Sequence, residues 1–425
     1  MRHESGVSRD PSSAAEARPR LSARRLSVRD LTSPAAASPA VLPAPQDAVP
    51  FNRATLVGRE RDYVAEVLAG SSFASIGPFN RRCQAWFAQE YPAVRTFLTG
   101  SCTHALETAA LATGIGPGDE VILPSFTFTS TATAFARTGA RLVFVDIDPA
   151  TMNIDPACVA AAVTGRTRAL VVMHYAGVGC DMDRLAAIAD KHRLWLVEDA
   201  AQALLCTYKG RPLGTIGQFG AFSFHETKNI HSGEGGALMA AAPHALLCET
   251  ILEKGTNRAR FLRGEVDKYT WETLGSSYAL PELPSALLLG QLEAARQVIA
   301  RRLELWTLYR EALRPLAEDG RIELPPVPED CRHNAHILFF KCADTIERQA
   351  LIDHLKANGV QATFHYVPLH SAPAGRRLGV FAGEDRHTTR ESDRLLRLPL
   401  FHGLREQQVL RVADLVTEFY RPRRR

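Results

Sequence analysis

The stretch Ala169–Gln202 reads ALVVMHYAGVGCDMDRLAAIADKHRLWLVEDAAQ, and its alternation of patterns decides the fold. Ala169–Met173 is an unbroken apolar run, and Leu194–Val197 is a second one. Between them, Asp181–His192 carries apolar residues at helical spacing on one face. Two strands that are apolar on both faces, joined by an amphipathic helix, indicate a parallel strand–helix–strand unit inside an α/β domain.

The same pattern extends in both directions from this unit. Glu120–Leu123 and Arg141–Val145 are predicted strands before it, and Phe219–Phe224 and Gly236–Met239 are predicted strands after it. Polar residues follow several of these strands. Because such sheets bind ligands at the carboxyl ends of their strands, we predict a mostly parallel mixed sheet with its site at that edge.

The composition of the chain changes twice and suggests two domains with an extension. Residues 1–47 are rich in Ala, Ser, Pro and Arg without an apolar period, which predicts a disordered N-terminal extension. We expect a large domain over residues 48–290. After about residue 290 a long helix is followed by mixed strands and helices, which predicts a smaller C-terminal α/β domain over residues 291–425.

Overall composition excludes several classes of protein. A formal charge of +4 over 425 residues is too small for a nucleic-acid-binding field. No stretch reaches 18 consecutive apolar residues, so no membrane span is predicted. The eight cysteines form no CxxC pair, which argues against a zinc ribbon or a redox dithiol and suggests reduced thiols in the cytoplasm. No metal site is predicted, because His225-Glu226 lacks the second histidine of a zinc-protease helix.

Asp199 is the first candidate for chemistry, since it closes the strand that begins at Leu194. A buried carboxylate needs a partner, and a protonated pyridine nitrogen is one that would turn the ring into an electron sink. Gln202, three residues on, could reach a phenolic oxygen of the same ring. Taken alone, the pattern around Asp199 favours a helix N-cap over a cofactor contact.

The second candidate is Lys228, in the run Ser223-Phe-His-Glu-Thr-Lys-Asn229. A desolvated lysine beside a bound aldehyde forms a Schiff base, and Ser223 could donate to a phosphate. The alternative is a surface lysine after an edge strand. The glycine run Gly233–Gly236 does not fit a dinucleotide-binding loop, because it does not open a helix with the required spacing.

Two further segments fit around these residues. Thr99–Ala105 brings small residues to the start of a predicted helix, where backbone N–H groups bind phosphate well, and Cys102 and Thr103 lie there. Phe128 follows a strand and could stack on a planar ring. A helix cap and ordinary core packing are the respective alternatives. The order of a phosphate cradle, an aromatic face, an acid and a lysine in one domain favours the functional interpretation of all four.

These residues resemble the DegT/StrS family of sugar-nucleotide aminotransferases, over about residues 50–404. The family's Ser-Phe-x-x-x-Lys-Asn motif matches Ser223–Asn229, and its Asp-Ala-Ala-Gln motif matches Asp199–Gln202. The resemblance implies the type I aminotransferase fold and pyridoxal 5′-phosphate (PLP) as cofactor. It implies roles for individual residues: Lys228 as the Schiff-base lysine, Asp199 on the pyridine nitrogen, Gln202 on the ring hydroxyl, Phe128 on the ring face, and Cys102, Thr103 and Ser223 on the phosphate.

The resemblance also implies a substrate and a partner. Many members carry Gly-Tyr-Asn-Tyr where this chain has Gly275-Ser-Ser-Tyr278, and that asparagine reaches the cofactor phosphate of the neighbouring subunit. We therefore expect a homodimer with a shared site in which Ser277 takes that place, as a shorter side chain. Pro281 and Pro284, where the family has Ser and Gln, have no functional explanation.

His225–Lys228 together with Ser276-Ser277 is similar to one subgroup, which aminates C4 of dTDP-4-keto-6-deoxy-D-glucose with L-glutamate as donor. Such enzymes serve bacterial surface-polysaccharide synthesis, including lipopolysaccharide. The rival interpretations are a different nucleotide-linked keto sugar and a non-catalytic PLP-binding regulator. Candidate substrate contacts are His174, Arg258, His365, Tyr366 and His370.

Overall fold

The stretch Ala169–Gln202 forms the predicted strand–helix–strand unit in the computed structural model, which describes residues 48–421. The strands Thr167–Met173 and Trp195–Asp199 pair in parallel, and the helix Met182–His192 connects them. The side chain of Asp181 accepts a hydrogen bond from the backbone of Arg184 at 3.3 Å and caps the helix. The predicted disordered extension over residues 1–47 lies outside the described residues, as does the basic end after residue 421.

The strands of the described chain are β1 (Val94–Thr99), β2 (Glu120–Pro124), β3 (Arg141–Val145), β4 (Thr167–Met173), β5 (Trp195–Asp199), β6 (Thr207–Tyr208), β7 (Arg211–Pro212), β8 (Phe219–Ser223), β9 (Gly236–Ala241), β10 (Cys331–Arg332), β11 (Leu338–Lys341), β12 (Gly379–Phe381) and β13 (Leu395–Leu398).

Eight of these strands form the central sheet, in the order β1-β9-β8-β5-β4-β2-β3-β12. Pairing is parallel from β8 to β12 and antiparallel only on both sides of β9. The predicted mostly parallel mixed sheet is therefore confirmed. β1, which the sequence did not reveal, is an edge strand whose run is interrupted by Arg95.

The helices are α1 (Glu60–Ala69), α2 (Pro78–Glu90), α3 (Cys102–Ala112), α4 (Thr129–Ala136), α5 (Pro156–Ala162), α6 (Met182–His192), α7 (Ala245–Leu252), α8 (Arg258–Leu262), α9 (Glu282–Glu293), α10 (Ala295–Glu318), α11 (Thr345–Ala357), α12 (Pro373–Leu378), α13 (Thr388–Arg394) and α14 (Glu406–Tyr420). None of the helices within residues 48–421 is long and apolar enough to cross a membrane.

Both faces of the sheet are covered, as the continuous apolar strands predict. In β4, Leu170 and Val172 belong to one apolar cluster, and Ala169 and Val171 belong to the cluster on the other side. Successive side chains of a strand point to opposite faces of the sheet, and both faces are buried here. The strands therefore appear in the sequence as unbroken apolar runs instead of alternating apolar and polar residues.

The C-terminal residues build a further apolar cluster around α10, α11, α14, β11 and β13. Val49 packs into the same cluster and bridges to Val360, which anchors the start of the described chain. β12, also C-terminal, pairs with β3 at the edge of the central sheet. Residues 47–425 group as one compact unit, so the domain boundary near residue 290 stays a prediction.

Candidate active site

A cavity of about 710 Å³ lies at the carboxyl edge of the sheet, where β5 and β8 end. Nine of the predicted residues line it: Cys102, Thr103, Phe128, Asp199, Gln202, Ser223, Lys228, His365 and Tyr366. The opposite wall comes from the C-terminal residues 363–366 and from Arg397. Residues that are more than 100 positions apart in sequence therefore meet in one concave space.

Asp199 is the last residue of β5 and is only 3% exposed. Its Oδ2 accepts a hydrogen bond of 2.6 Å from the hydroxyl of Thr131, and its Oδ1 accepts one of 3.1 Å from the backbone of Ala201. Burial raises the pKa of this carboxyl; the two hydrogen bonds and the charge of Lys228 act in the opposite direction without cancelling that rise. A cation bound against Asp199 would offset the cost of its burial.

Lys228 lies in the turn that joins β8 to β9, and its side chain is half-buried. Backbone hydrogen bonds hold this turn, including one from Lys228 N to the carbonyl of His225 at 2.9 Å. Burial lowers the pKa of the Lys228 amine, and the nearby Asp199 carboxylate opposes the change. An amine with a lowered pKa is more often uncharged at neutral pH and so is a better nucleophile and proton carrier.

The start of α3 borders the cavity, which Ser101, Cys102 and Thr103 line. Ser101 caps the helix, because its hydroxyl accepts a hydrogen bond from His104 N at 3.2 Å. Gly236 allows β9 to approach this point closely: a Cβ on Gly236 would lie only 2.5 Å from Cys102 N. Ser223 pairs with Gly236 across the two strands, so its hydroxyl and the helix start border the same part of the cavity. This arrangement suits a phosphate group.

Gln202 and Phe128 border the space between Asp199 and the C-terminal wall. The amide oxygen of Gln202 accepts from Ala176 N at 2.7 Å, and its amide nitrogen donates to the hydroxyl of Tyr366 at 2.9 Å. Phe128 is 55% exposed, with its ring centroid 6.2 Å from that of Tyr366. An exposed aromatic ring beside the cavity provides a surface on which a planar cofactor ring could stack.

Four predicted residues are not brought to the cavity of this chain. His174 is fully buried, where Nε2 lies 2.9 Å from Glu198 and Nδ1 accepts from Cys180 N, so neither ring nitrogen is available to a sugar. His370 lies between Ser125 and Asp385, with its ring nitrogens at 2.7 Å and 3.2 Å from them.

Arg258 and Ser277 are exposed on the surface outside the cavity. The guanidinium of Arg258 pairs with Glu253 at 3.2 Å. Ser277 forms a backbone bridge with the same residue. Neither residue therefore lines the cavity of its own chain.

Sequence reasoning missed several residues that line or support the cavity, among them Thr131, Arg397 and His336. Thr131 bonds Asp199; its hydroxyl also lies 2.8 Å from that of Thr127, four residues earlier, and this spacing was the available signal. Arg397 is the one guanidinium that lines the cavity among the described residues, and it stands out as a lone cation in the leucine-rich β13. His336 also lines the cavity. No local pattern indicated it.

The residues fit a PLP molecule. The cavity holds a buried carboxylate that needs a cation, an amine of lowered pKa, an exposed aromatic ring and a helix start with a serine hydroxyl. These groups would receive, respectively, the ring nitrogen, the aldehyde carbon, the ring face and the phosphate of the cofactor.

Comparison with known proteins gives one consistent family. The profile of the DegT/DnrJ/EryC1/StrS aminotransferase family matches residues 55–417. The chain is 35% identical over 372 residues to the spore coat polysaccharide biosynthesis protein SpsC of Bacillus subtilis (strain 168), which covers 85% of this chain and 95% of SpsC. It is 28% identical over 376 residues to GDP-perosamine synthase of Escherichia coli O157:H7, covering 88% and 98% of the two chains. Among solved structures, S. venezuelae DesV superposes with a TM-score of 0.80 at 33% identity, covering 88% of this chain and 99% of DesV.

Proposed function

The chain belongs to the DegT/DnrJ/EryC1/StrS aminotransferase family, and from that premise we propose that it is a dTDP-4-amino-4,6-dideoxygalactose transaminase. Its fold is that of the type I aminotransferases, and its cofactor is PLP. The proposed reaction moves the amino group of L-glutamate to C4 of dTDP-4-keto-6-deoxy-D-glucose and releases 2-oxoglutarate. The single observation that carries the aminotransferase chemistry is that Lys228 and the buried Asp199 line one cavity.

PLP, when bound, supplies an aldehyde carbon that takes up the amino group and a ring that withdraws electrons from the substrate carbon. In the proposed mechanism the Asp199 carboxylate holds the proton on the ring nitrogen, and Thr131 fixes the orientation of that carboxylate through the 2.6 Å hydrogen bond. The Lys228 amine would move a proton between the substrate carbon and the cofactor carbon. Its lowered pKa supports this role, since the uncharged amine is the form that accepts the proton.

Cations support the binding of acidic substrates. Arg397 lies in the cavity wall, where its guanidinium donates to the carbonyl of Phe364 at 2.9 Å and stacks over the ring of Phe51 at 4.8 Å. These two contacts do not use all N–H groups of the guanidinium. The remaining N–H groups can bind a carboxylate or a phosphate, which are the groups that Arg binds most strongly.

The choice of acceptor rests on short sequence signatures. His225-Glu-Thr-Lys228, Lys254-Gly-Thr-Asn-Arg258 and Ser276-Ser277 are together similar to the subgroup that makes dTDP-4-amino-4,6-dideoxygalactose. A second candidate is amination of a GDP-linked keto sugar, which is favoured by the 28% identity to a protein named GDP-perosamine synthase. A non-catalytic PLP-binding role is disfavoured, because Lys228, Asp199 and Gln202 are all retained in the cavity.

The proposed enzyme is a homodimer in which Ser277 of one subunit serves the cavity of the other. The exposure of Ser277 outside the cavity of its own chain supports this arrangement. In the same way, Arg258 would contribute only across the interface.

The test incubates the purified protein with PLP, L-glutamate and dTDP-4-keto-6-deoxy-D-glucose, and the configuration at C4 of the product is determined by NMR. We expect the galacto-configured amine. A parallel reaction with a GDP-linked 4-keto sugar distinguishes the second candidate, and the Lys228→Ala variant is the matched control. The gluco epimer or product from the GDP sugar alone would overturn the subgroup assignment. Absence of any spectral change of PLP with glutamate would overturn the enzyme assignment.

A further inference from the structure

His336 lies two residues before the start of β11, is 7% exposed, and lines the cavity together with Lys228. Its ring is held by the side chain of Asn229, the residue that follows Lys228 in the chain: Nδ1 of His336 is 3.1 Å from Oδ1 of Asn229. A side chain from the C-terminal part of the chain is thereby attached to the turn that carries the reactive lysine.

The hydrogen bonds of Asn229 fix the tautomer of this histidine. The amide nitrogen of Asn229 donates to the carbonyl of Asn334 at 2.8 Å, and a carbonyl can only accept. The amide oxygen must therefore be the atom that faces His336. Because that oxygen also only accepts, Nδ1 of His336 carries the proton, and in the neutral ring Nε2 carries the lone pair.

The free nitrogen is open to the cavity. Within residues 48–421, Nε2 has no hydrogen-bond partner. It is also not sealed from solvent. Since His336 lines the cavity together with Lys228 and Nε2 is not sealed from solvent, Nε2 is the acceptor of this ring that can face the Lys228 amine.

The charges around His336 keep its ring neutral. Burial lowers its pKa well below the usual value, and the positive charges of Lys228, Arg302 and Arg397 act in the same direction, as does His365. The groups that face Lys228 are Cys102, Asp199 and Arg397. The lowered pKa favours the neutral ring, in which Nε2 is a hydrogen-bond acceptor.

We propose that His336 is a positioning residue for Lys228: its Nε2, which has no partner in this structure, accepts a hydrogen bond when the flexible lysine side chain turns toward it, and so aims the amine at the substrate carbon. The inference rests on the proposed function, since it assumes that Lys228 is the reactive lysine. The proposal also gives a role to Asn229, the asparagine of the Ser-Phe-x-x-x-Lys-Asn motif. Its hydrogen bond to Nδ1 fixes the ring of His336 so that the lone pair of Nε2 is available to the cavity.

The experiment uses two substitutions that separate the two ring nitrogens. His336→Asn places an amide near the position of Nδ1, so it can still contact Asn229 but offers no acceptor to the cavity. His336→Gln reaches the position of Nε2 and can turn its amide oxygen toward Lys228. His333→Asn, three residues earlier and outside the cavity, is the matched control.

The readout is the rate at which the full-length, PLP-free chain captures added PLP, followed by visible absorbance across pH. This profile reports the ionisation of the Lys228 amine. An acceptor stabilises the charged ammonium, so its loss lowers the pKa of Lys228. We expect the midpoint of the pH profile of PLP capture to move about one pH unit lower in His336→Asn, because a hydrogen bond to a charged group is lost. In His336→Gln the midpoint should move less than half as far.

Unfolding temperatures of all variants are measured in parallel, and single-turnover rates with glutamate should fall about tenfold in His336→Asn. The inference is overturned if both variants leave the midpoint at the wild-type value, or if both shift it equally. A wild-type chain that captures no PLP through Lys228 would instead overturn the proposed function, so the two failures are distinguishable.

Discussion

The hydroxyl of Thr131 donates a 2.6 Å hydrogen bond to Oδ2 of Asp199, the carboxylate proposed to hold the ring nitrogen of the cofactor. Thr131 lies in the first turn of α4, and Asp199 ends β5. The bond joins two elements that are separated by 68 residues in sequence. It is one of two hydrogen bonds to a carboxylate that is otherwise desolvated, so its removal should be costly.

Thr131→Val keeps the shape of the side chain and removes this donor. A hydrogen bond to the charged form lowers a carboxyl pKa, so its loss should raise the pKa of Asp199 further and move the acidic limb of the activity profile to higher pH. We expect turnover to fall about tenfold, the equivalent of about 1.4 kcal/mol. The measurement is the pH dependence of turnover. Thr131→Ser, which retains the hydroxyl, should restore most of the rate, and equal losses in both variants would contradict the argument.

Asp199 could be predicted because its position depends on local rules, whereas its hydrogen-bond partner could not. A carboxylate that closes an apolar strand of a parallel sheet lies at the ligand-binding edge whatever the rest of the chain does. The partner depends on how α4 packs against β5, and the four-residue spacing of Thr127 and Thr131 places both side chains on one helical face without indicating that packing. The hydrogen bond between Asn229 and His336, across 107 residues, was hidden for the same reason.

The strands were predicted well where both faces are buried, and less well at the edges of the structure. Ala169–Met173 and Phe219–Phe224 match β4 and β8 closely, because continuous apolar runs leave little choice of structure. In the C-terminal part, for which only mixed strands and helices were predicted, β11 begins at Leu338, where pairing with Leu398 starts. His370 was predicted as a substrate contact because its segment resembles the family stretch that borders the substrate pocket. In this chain its side chain lies between Ser125 and Asp385.

Lys228→Ala tests the reactive lysine. No other lysine lines the cavity among residues 48–421, so we expect the variant to lose both the visible absorbance of bound PLP and all measurable turnover. Absorbance spectra and the transamination assay are the measurements. Lys268→Ala, at an exposed position, is the control and should behave as the wild type. Near wild-type turnover in Lys228→Ala would remove the lysine from the mechanism.

Asp146 should make the stability of the protein depend on pH. It follows β3, and its two oxygens accept four hydrogen bonds from residues 386–388: from Arg386 N, His387 N, Thr388 N and Thr388 Oγ1, at 2.6–3.0 Å. Burial raises the pKa of this carboxyl, but these bonds outweigh burial and hold it below its usual value. The charged carboxylate thereby fixes the start of α13.

Asp146→Asn removes this charge and presents an amide N–H to backbone donors. Because the folded pKa is depressed, the stabilisation is present above the unfolded value of about 4 and disappears as pH falls through the folded pKa. We expect the variant to be less stable than the wild type by about 2 kcal/mol at pH 7, with the difference shrinking below about pH 4. Thermal unfolding of both proteins between pH 3 and pH 7 measures this. A difference that is constant across that range would contradict the assignment.

The segment that precedes Ser277 in sequence exposes apolar side chains, which supports a dimer interface there. Large apolar side chains are exposed close together in sequence there: Phe261, Leu262, Tyr269, Trp271 and Leu274. Trp271 is 75% exposed, while its backbone bridges to Thr256. Several exposed aromatic and aliphatic side chains in one segment are typical of a surface that binds another protein.

Trp271→Glu should therefore weaken the association of two chains, because a charge would replace a large aromatic side chain at the interface. Substitutions of such anchoring residues weaken binding by about 2 kcal/mol or more, about thirtyfold, so sedimentation at assay concentrations should show a shift toward monomer. Since the proposed site is completed by Ser277 of the second chain, the weakened dimer should also bind PLP less tightly upon dilution. Ile346→Glu, which alters a side chain that is 81% exposed on α11, is the matched control and should leave both properties unchanged. A wild-type protein that sediments as a monomer while fully active would exclude the shared site, and with it the role of Ser277.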